Sequence, residues 1–147
     1  MKTVLVIDGQ GGGFGKALIE ALRKRRVPVR IMAVGTNSIA TSAMMRAGAD
    51  AGATGTNPVR VNCRRADVIA GPMGIVLANS MMGEFTPEMA AAVAESDAAR
   101  VLVPVTKCST YVAGVARKTL AQYIDDAVEL ICGLTEERRP EPDENVV

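Results

Sequence analysis

The chain has 147 residues, 48% hydrophobic but only 3% aromatic, and a formal net charge of +1. That length fits one domain with an aliphatic core large enough to need no disulfide or metal staple. Histidine is absent, which excludes Ser-His-Asp and Cys-His catalysis and histidine-ligated metals and leaves acid–base work to Asp, Glu, Lys, Cys or Tyr.

Residues 3–8 form an apolar run closed by Asp8, the pattern of a buried parallel strand. Five glycines follow between Gly9 and Gly15. Residues 14–25 then repeat Ala17, Leu18, Ala21 and Leu22 at helical spacing. The basic cluster Arg23 to Arg26 suits the negative end of that helix, and Pro28 blocks its continuation. Residues 29–34 read as a second strand. Gly35-Thr36-Asn37-Ser38 leads into a helix over 39–47, closed by Gly48.

A small-residue stretch, 49–57, precedes a short expected strand at 59–61. Another strand is expected at 67–70, so close that the two form a hairpin or an irregular crossover. Gly35-Thr36-Asn37 recurs as Gly55-Thr56-Asn57; the second copy reads as a turn or as a repeat of the first joint. Gly71-Pro72-Met73-Gly74 makes a second glycine-rich joint, followed by one expected helix over 75–82 that Gly83 ends. Thr86-Pro87-Glu88 opens a helix reaching about residue 95, with Thr as N-cap and Pro in the first turn. A last strand is expected at 101–105 and a last helix at 120–132, ended by Gly133.

Residues 1–134 are read as one domain and 135–147 as an acidic, flexible tail. That tail holds five acids and two bases, so the body carries 15 bases against 11 acids, about +4. Such a charge is too weak for a nucleic-acid surface and suits a small anionic ligand.

Strands alternating with helices predict an α/β fold with a mostly parallel sheet of about five strands and helices on both faces. Ligands of such sheets bind outside the carboxyl ends of the strands. The candidates there are Asp8, Gly9, Gln10, Gly11, Gly12, Gly13, Phe14, Gly15 and Lys16. The second strand adds Gly35, Thr36, Asn37 and Ser38, and the next joint adds Gly71, Pro72, Met73 and Gly74.

The first joint carries the most chemistry. A helix start exposes free N–H groups at a positive dipole end, and glycine lets a phosphate approach them. Three motifs compete for it. G-x-G-x-x-G fails, because Phe14 takes the third glycine's place. G-x-x-x-G-x-G fits as Gly9, Gly13 and Gly15, and resembles the cofactor loop of short-chain dehydrogenases. That resemblance covers about the first 25 residues and implies a nicotinamide dinucleotide. The family's catalytic Tyr-x-x-x-Lys is absent, since neither Tyr111 nor Tyr123 has Lys four residues on. Gly15-Lys16 also resembles the end of a Walker loop, but Ala17 replaces the magnesium-binding Ser/Thr and Gln10 breaks the spacing. NAD(P) or an adenine nucleotide is the expected cofactor.

At the second strand end, where dinucleotide folds carry Asp or Glu for the ribose, the chain offers Thr36, Asn37 and Ser38. They bind a ribose or phosphate, or simply cap the next helix. Asp8 is placed to accept N–H groups of the glycine loop. Lys107, Cys108 and Glu84 are the candidate catalytic groups for an alternative reading, a small enzyme acting on a phosphorylated or anionic metabolite. In that reading Lys107 lowers the Cys108 pKa and Glu84 is a base; each can equally be an ordinary loop residue.

Three cysteines without close spacing argue against a disulfide framework and a zinc site. No signal sequence and no membrane-length apolar run is apparent, so a cytoplasmic location is expected. Paired methionines such as Met44-Met45 and Met81-Met82 cannot both face one core, which leaves one of each for a subunit contact. A homo-oligomer is therefore expected, and in the enzyme reading a neighbouring subunit completes the pocket.

The motifs "IDGQGGGFGKALIEALR", "VGTNSIATSAMMRAGA", "GATGTNP", "GPMGIVLANSMMGEFTPEMA" and "VLVPVTKC" together resemble a family of small uncharacterised bacterial proteins, Rossmann-like in outline. The resemblance spans roughly residues 2–132. It implies a Rossmann-like single domain and, by analogy of fold alone, nucleotide binding; it implies no activity.

Overall fold

The computed structural model describes residues 1–105 and 109–136. Five strands, β1 (Thr3–Asp8), β2 (Arg30–Gly35), β3 (Ala51–Thr54), β4 (Val68–Pro72) and β5 (Ala99–Val103), form one sheet. Its order is β3-β2-β1-β4-β5, with every neighbouring pair parallel. The helices are α1 (Gly13–Lys24), α2 (Ser38–Ala47), α3 (Thr56–Cys63), α4 (Pro87–Glu95) and α5 (Leu120–Thr135). This is the Rossmann-like α/β arrangement, in which the chain reverses direction across the sheet between β1 and β4.

The sheet is covered on both faces because β1 is apolar on both. Val4 and Val6 point to one side, where Leu18, Ile19 and Leu22 of α1, Met44 of α2 and Ile124, Val128 and Ile131 of α5 complete a core. Leu5 and Ile7 point to the other, against Val59 and Cys63 of α3, Phe85, and Met89 and Val93 of α4. Alternating side chains and parallel pairing thus put three helices on one face and two on the other. Among the described residues no helix is long and apolar enough to cross a membrane.

Several expectations need correction. Residues 59–61 are not a strand but lie inside α3. Val59 and Cys63, four apart, are the buried pair, which is a helical period. The third strand is instead the small-residue run Ala51–Thr54. It tolerates little bulk, because a Cβ on Gly52 would lie 2.7 Å from Met45 Sδ on α2. With α3 as the crossover from β3 to β4, no hairpin forms.

Residues 75–82 are not one helix. Two 3-10 turns, Met73–Val76 and Met81–Gly83, are separated by extended backbone at Leu77 and left-handed backbone at Asn79. The strand expected at 67–70 runs on through Gly71 and Pro72, since Gly71 lets β4 close on β1: its Cβ would sit 2.6 Å from the Ile7 carbonyl oxygen. At the far end β5 covers Ala99–Val103 rather than 101–105, and α5 continues through Gly133 to Thr135. The tail expected from 135 lies, beyond residue 136, outside the described residues.

Candidate functional site

The carboxyl ends of β1 and β2 carry the candidate site. Asp8, the last residue of β1, is 5% exposed. Its Oδ1 accepts the Gly9 N–H at 2.8 Å and its Oδ2 the Gly15 N–H at 2.7 Å. Burial pushes the Asp8 carboxyl above its ordinary range, outweighing hydrogen bonds from the Gly15, Gly9 and Phe14 N–H groups; the nearby Glu84 charge pushes the same way. The loop is closed further by the Gly12 N–H donating to the Gly9 carbonyl at 2.9 Å.

The five glycines divide into two kinds. Gly9, Gly12 and Gly15 are demanded by close approach. Added Cβ atoms would meet Met81 Sδ at 2.6 Å, Ala40 Cα at 2.8 Å and Met44 Sδ at 2.5 Å respectively, and Gly12 also has φ +74°. Gly11 and Gly13 differ: a Cβ on either would meet nothing within 4 Å, and neither has positive φ. Both are exposed, as is Lys16. Their N–H groups have no hydrogen-bond partner among the described residues. The bare amides of this joint are thus fewer than the glycine count suggests, because the chain's own carboxylates take several of them.

The second of those carboxylates is Glu84. The connection from β4 to α4 crosses the end of β1 and lays Met81 against Gly9. Glu84 Oε1 accepts the Gln10 N–H at 3.1 Å, the Thr36 hydroxyl at 2.8 Å and the Asn37 amide at 2.6 Å. Burial pushes its carboxyl up, but these three hydrogen bonds outweigh it and hold the group below its ordinary range. Such a carboxylate stays charged and is a poor base.

Asn37 is used completely. Its Oδ1 accepts the Ala40 N–H at 2.9 Å as the N-cap of α2, and its amide also donates to the Gln10 carbonyl at 2.9 Å. Ser38 is the first residue of α2. Gly35 ends β2, and the Gly55 N–H donates to its carbonyl at 3.0 Å. The repeated Gly-Thr-Asn therefore marks two adjacent strand-to-helix joints. Gly71 and Pro72 are buried in β4, and Met73 and Gly74 begin the next turn, where the Gly74 carbonyl accepts the Ser80 hydroxyl. Lys107 and Cys108 lie outside the described residues. An open groove of about 550 Å³ lies elsewhere, between β5, residues 114–118 and α5; its Asp126 is paired with Lys118 and its Glu129 with Arg25.

Residues 3–136 match the family described as "Domain of unknown function (DUF3842)". The chain belongs to this family. No curated protein matches it. Among solved structures, the crystal structure of AibC is similar at 21% identity and a TM-score of 0.50 over 92% of this chain. The DUF3842 chain spans about 40% of AibC's length, and the likeness is one of fold. A dodecameric FMN-dependent UbiX-like decarboxylase from Escherichia coli O157:H7 is similar at 20% identity and a TM-score of 0.42, over 89% of this chain and 76% of that one.

Within this DUF3842 chain, sequence reasoning named the glycine loop, Asp8 and Glu84 as separate candidates. It did not bring Glu84 onto the loop, nor single out Met81 as its cover. Glu84 and Gln10 are 74 residues apart, and no local pattern signals that contact.

Proposed function

We propose that the protein binds a phosphate-bearing ligand, NAD(P) or an adenine nucleotide, at the start of α1. One observation carries this reading. Gly11 and Gly13 keep N–H groups without a partner among the described residues, beside open space, with no packing or backbone reason to be glycine. The helix start and exposed Lys16 supply positive potential there. Association with a second copy is part of the reading. Ile39, two residues after Asn37, and Met82, two before Glu84, are 70% and 97% exposed, and a neighbouring subunit would cover them.

In the alternative, a small enzyme on a phosphorylated or anionic metabolite, Glu84 is held as a weak base, and Lys107 and Cys108 lie outside the described residues.

Thermal shift with a panel of adenine nucleotides tests the proposal. A ligand at 100 times its dissociation constant adds about 2.7 kcal/mol of stability. Gly13→Val fits sterically, because the added Cβ enters open space, yet it blocks the amides. The variant is expected to keep its own stability and lose the nucleotide shift. An unchanged shift would remove the site.

A further inference from the structure

We propose that Glu84 selects the sugar of the bound ligand: it takes a ribose with free 2′ and 3′ hydroxyls and turns away one that is phosphorylated there. This rests on the reading of the glycine joint as a phosphate site.

The end of β2, where dinucleotide folds place an acid for the ribose, has no acid of its own in Gly35-Thr36-Asn37-Ser38. Glu84 delivers one from a different connection, between β4 and α4. Its carboxylate is anchored by Thr36 and Asn37 at the end of β2 and by the Gln10 N–H beyond β1. All three donors go to Oε1, and Oε2 has no partner among the described residues. One oxygen is therefore the fixed end, and the other is an acceptor left open by the described residues.

An ionised carboxylate only accepts hydrogen bonds. It favours hydroxyl donors, and it repels a phosphate carried on the ribose hydroxyls against it more strongly than one held further along the loop by N–H groups. The next residue after Gln10 is Gly11, whose N–H is open, so the hydroxyl acceptor and the phosphate donors occupy adjoining positions along the loop. That juxtaposition fits the two ends of a ribose 5′-phosphate. Glu84 is also held from behind. Phe85 is fully buried, its N–H donates to the Ser80 carbonyl at 3.2 Å and its carbonyl accepts the Asn79 N–H at 2.8 Å.

Calorimetric titration of the full chain with AMP, 2′,3′-dideoxy-AMP and adenosine 2′,5′-bisphosphate tests this. AMP is expected to bind at least about tenfold more tightly than either analogue, a difference of ~1.4 kcal/mol. Glu84→Gln is expected to weaken AMP and narrow both ratios. Equal wild-type affinities for AMP and its dideoxy analogue would overturn the role of Glu84 while leaving the phosphate site standing. No binding of AMP, nor of ADP, ATP, NAD or NADP titrated in the same way, would overturn both. Tighter binding of all three by Glu84→Gln would make Glu84 an internal plug competing with the ligand, and would also overturn the proposal. If Glu84→Gln fails to fold, the wild-type ratios alone decide.

Discussion

Asp8 Oδ2 accepts the N–H of Gly15 at 2.7 Å, so the last residue of β1 grips the first turn of α1 seven residues on. The same carboxylate takes the Gly9 N–H at 2.8 Å. One buried side chain therefore sets both ends of the glycine loop.

Replacing Asp8 by Asn should show how much the grip is worth. The amide end of Asn would face an N–H group instead of accepting from it. Hydrogen bonds to charged groups contribute about 1.5–3 kcal/mol. A loss of about 2 kcal/mol in urea unfolding is expected; a loss under ~0.5 kcal/mol would mean the loop holds its shape without Asp8.

The two kinds of glycine make opposite predictions. Gly12→Ala forces a side chain into left-handed backbone and against Ala40 Cα. It should cost at least about 1–2 kcal/mol. Gly13→Ala meets open space and should be neutral or stabilising by roughly 0.4–1 kcal/mol. Denaturation midpoints of the two variants measure the contrast, and similar losses at both positions would contradict it.

Phe85 anchors the connection that carries Glu84. It is fully buried against the α3–α4 side of the sheet. Phe85→Ala should cost about 3–5 kcal/mol. It should also loosen Glu84, visible as faster exchange of the Gln10 amide proton. Unchanged exchange in a folded variant would separate the two.

Acid pH should weaken the Glu84 tie. Its folded carboxyl lies below the ordinary value of 4.5, so its contribution is complete above that value and is lost as pH falls through the lowered one. Asp8 acts in the opposite sense. Its carboxyl is raised above 3.8, so stability declines as pH rises from that value through the raised one. Urea unfolding of wild type and Glu84→Gln between pH 7 and pH 3 isolates the first effect. The wild-type advantage should shrink on acidification; a constant difference would show that Glu84 does not titrate with the fold.

Much of the architecture was legible in the sequence. Apolar runs at β1 and β2, helical spacing in α1, and the Thr86-Pro87 start of α4 are local signals, and each element formed. β3 was missed because Ala-Gly-Ala-Thr has little strand preference; close packing by Met45 selects those residues. α3 was misread as a short strand at 59–61, whereas Val59 and Cys63 face the core together at helical spacing. At the site, the loop and Asp8 could be read from adjacency along the chain. The sharing of its amides with Glu84 could not, since that depends on a connection folding back across the sheet.

The position of β1 in the sheet bears on how the protein is made. This strand lies between β2 and β4, and the Thr3 N–H donates to Asp67, 64 residues later. As the chain leaves the ribosome, the β1–α1–β2 unit emerges first, while one flank of its central strand waits for a partner not yet translated. That flank is a row of unpaired amides and carbonyls on a strand apolar from Val4 to Ile7, the kind of edge that recruits the wrong neighbour. The order of the strands thus leaves the nascent chain with an open flank on β1 until β4 has been translated.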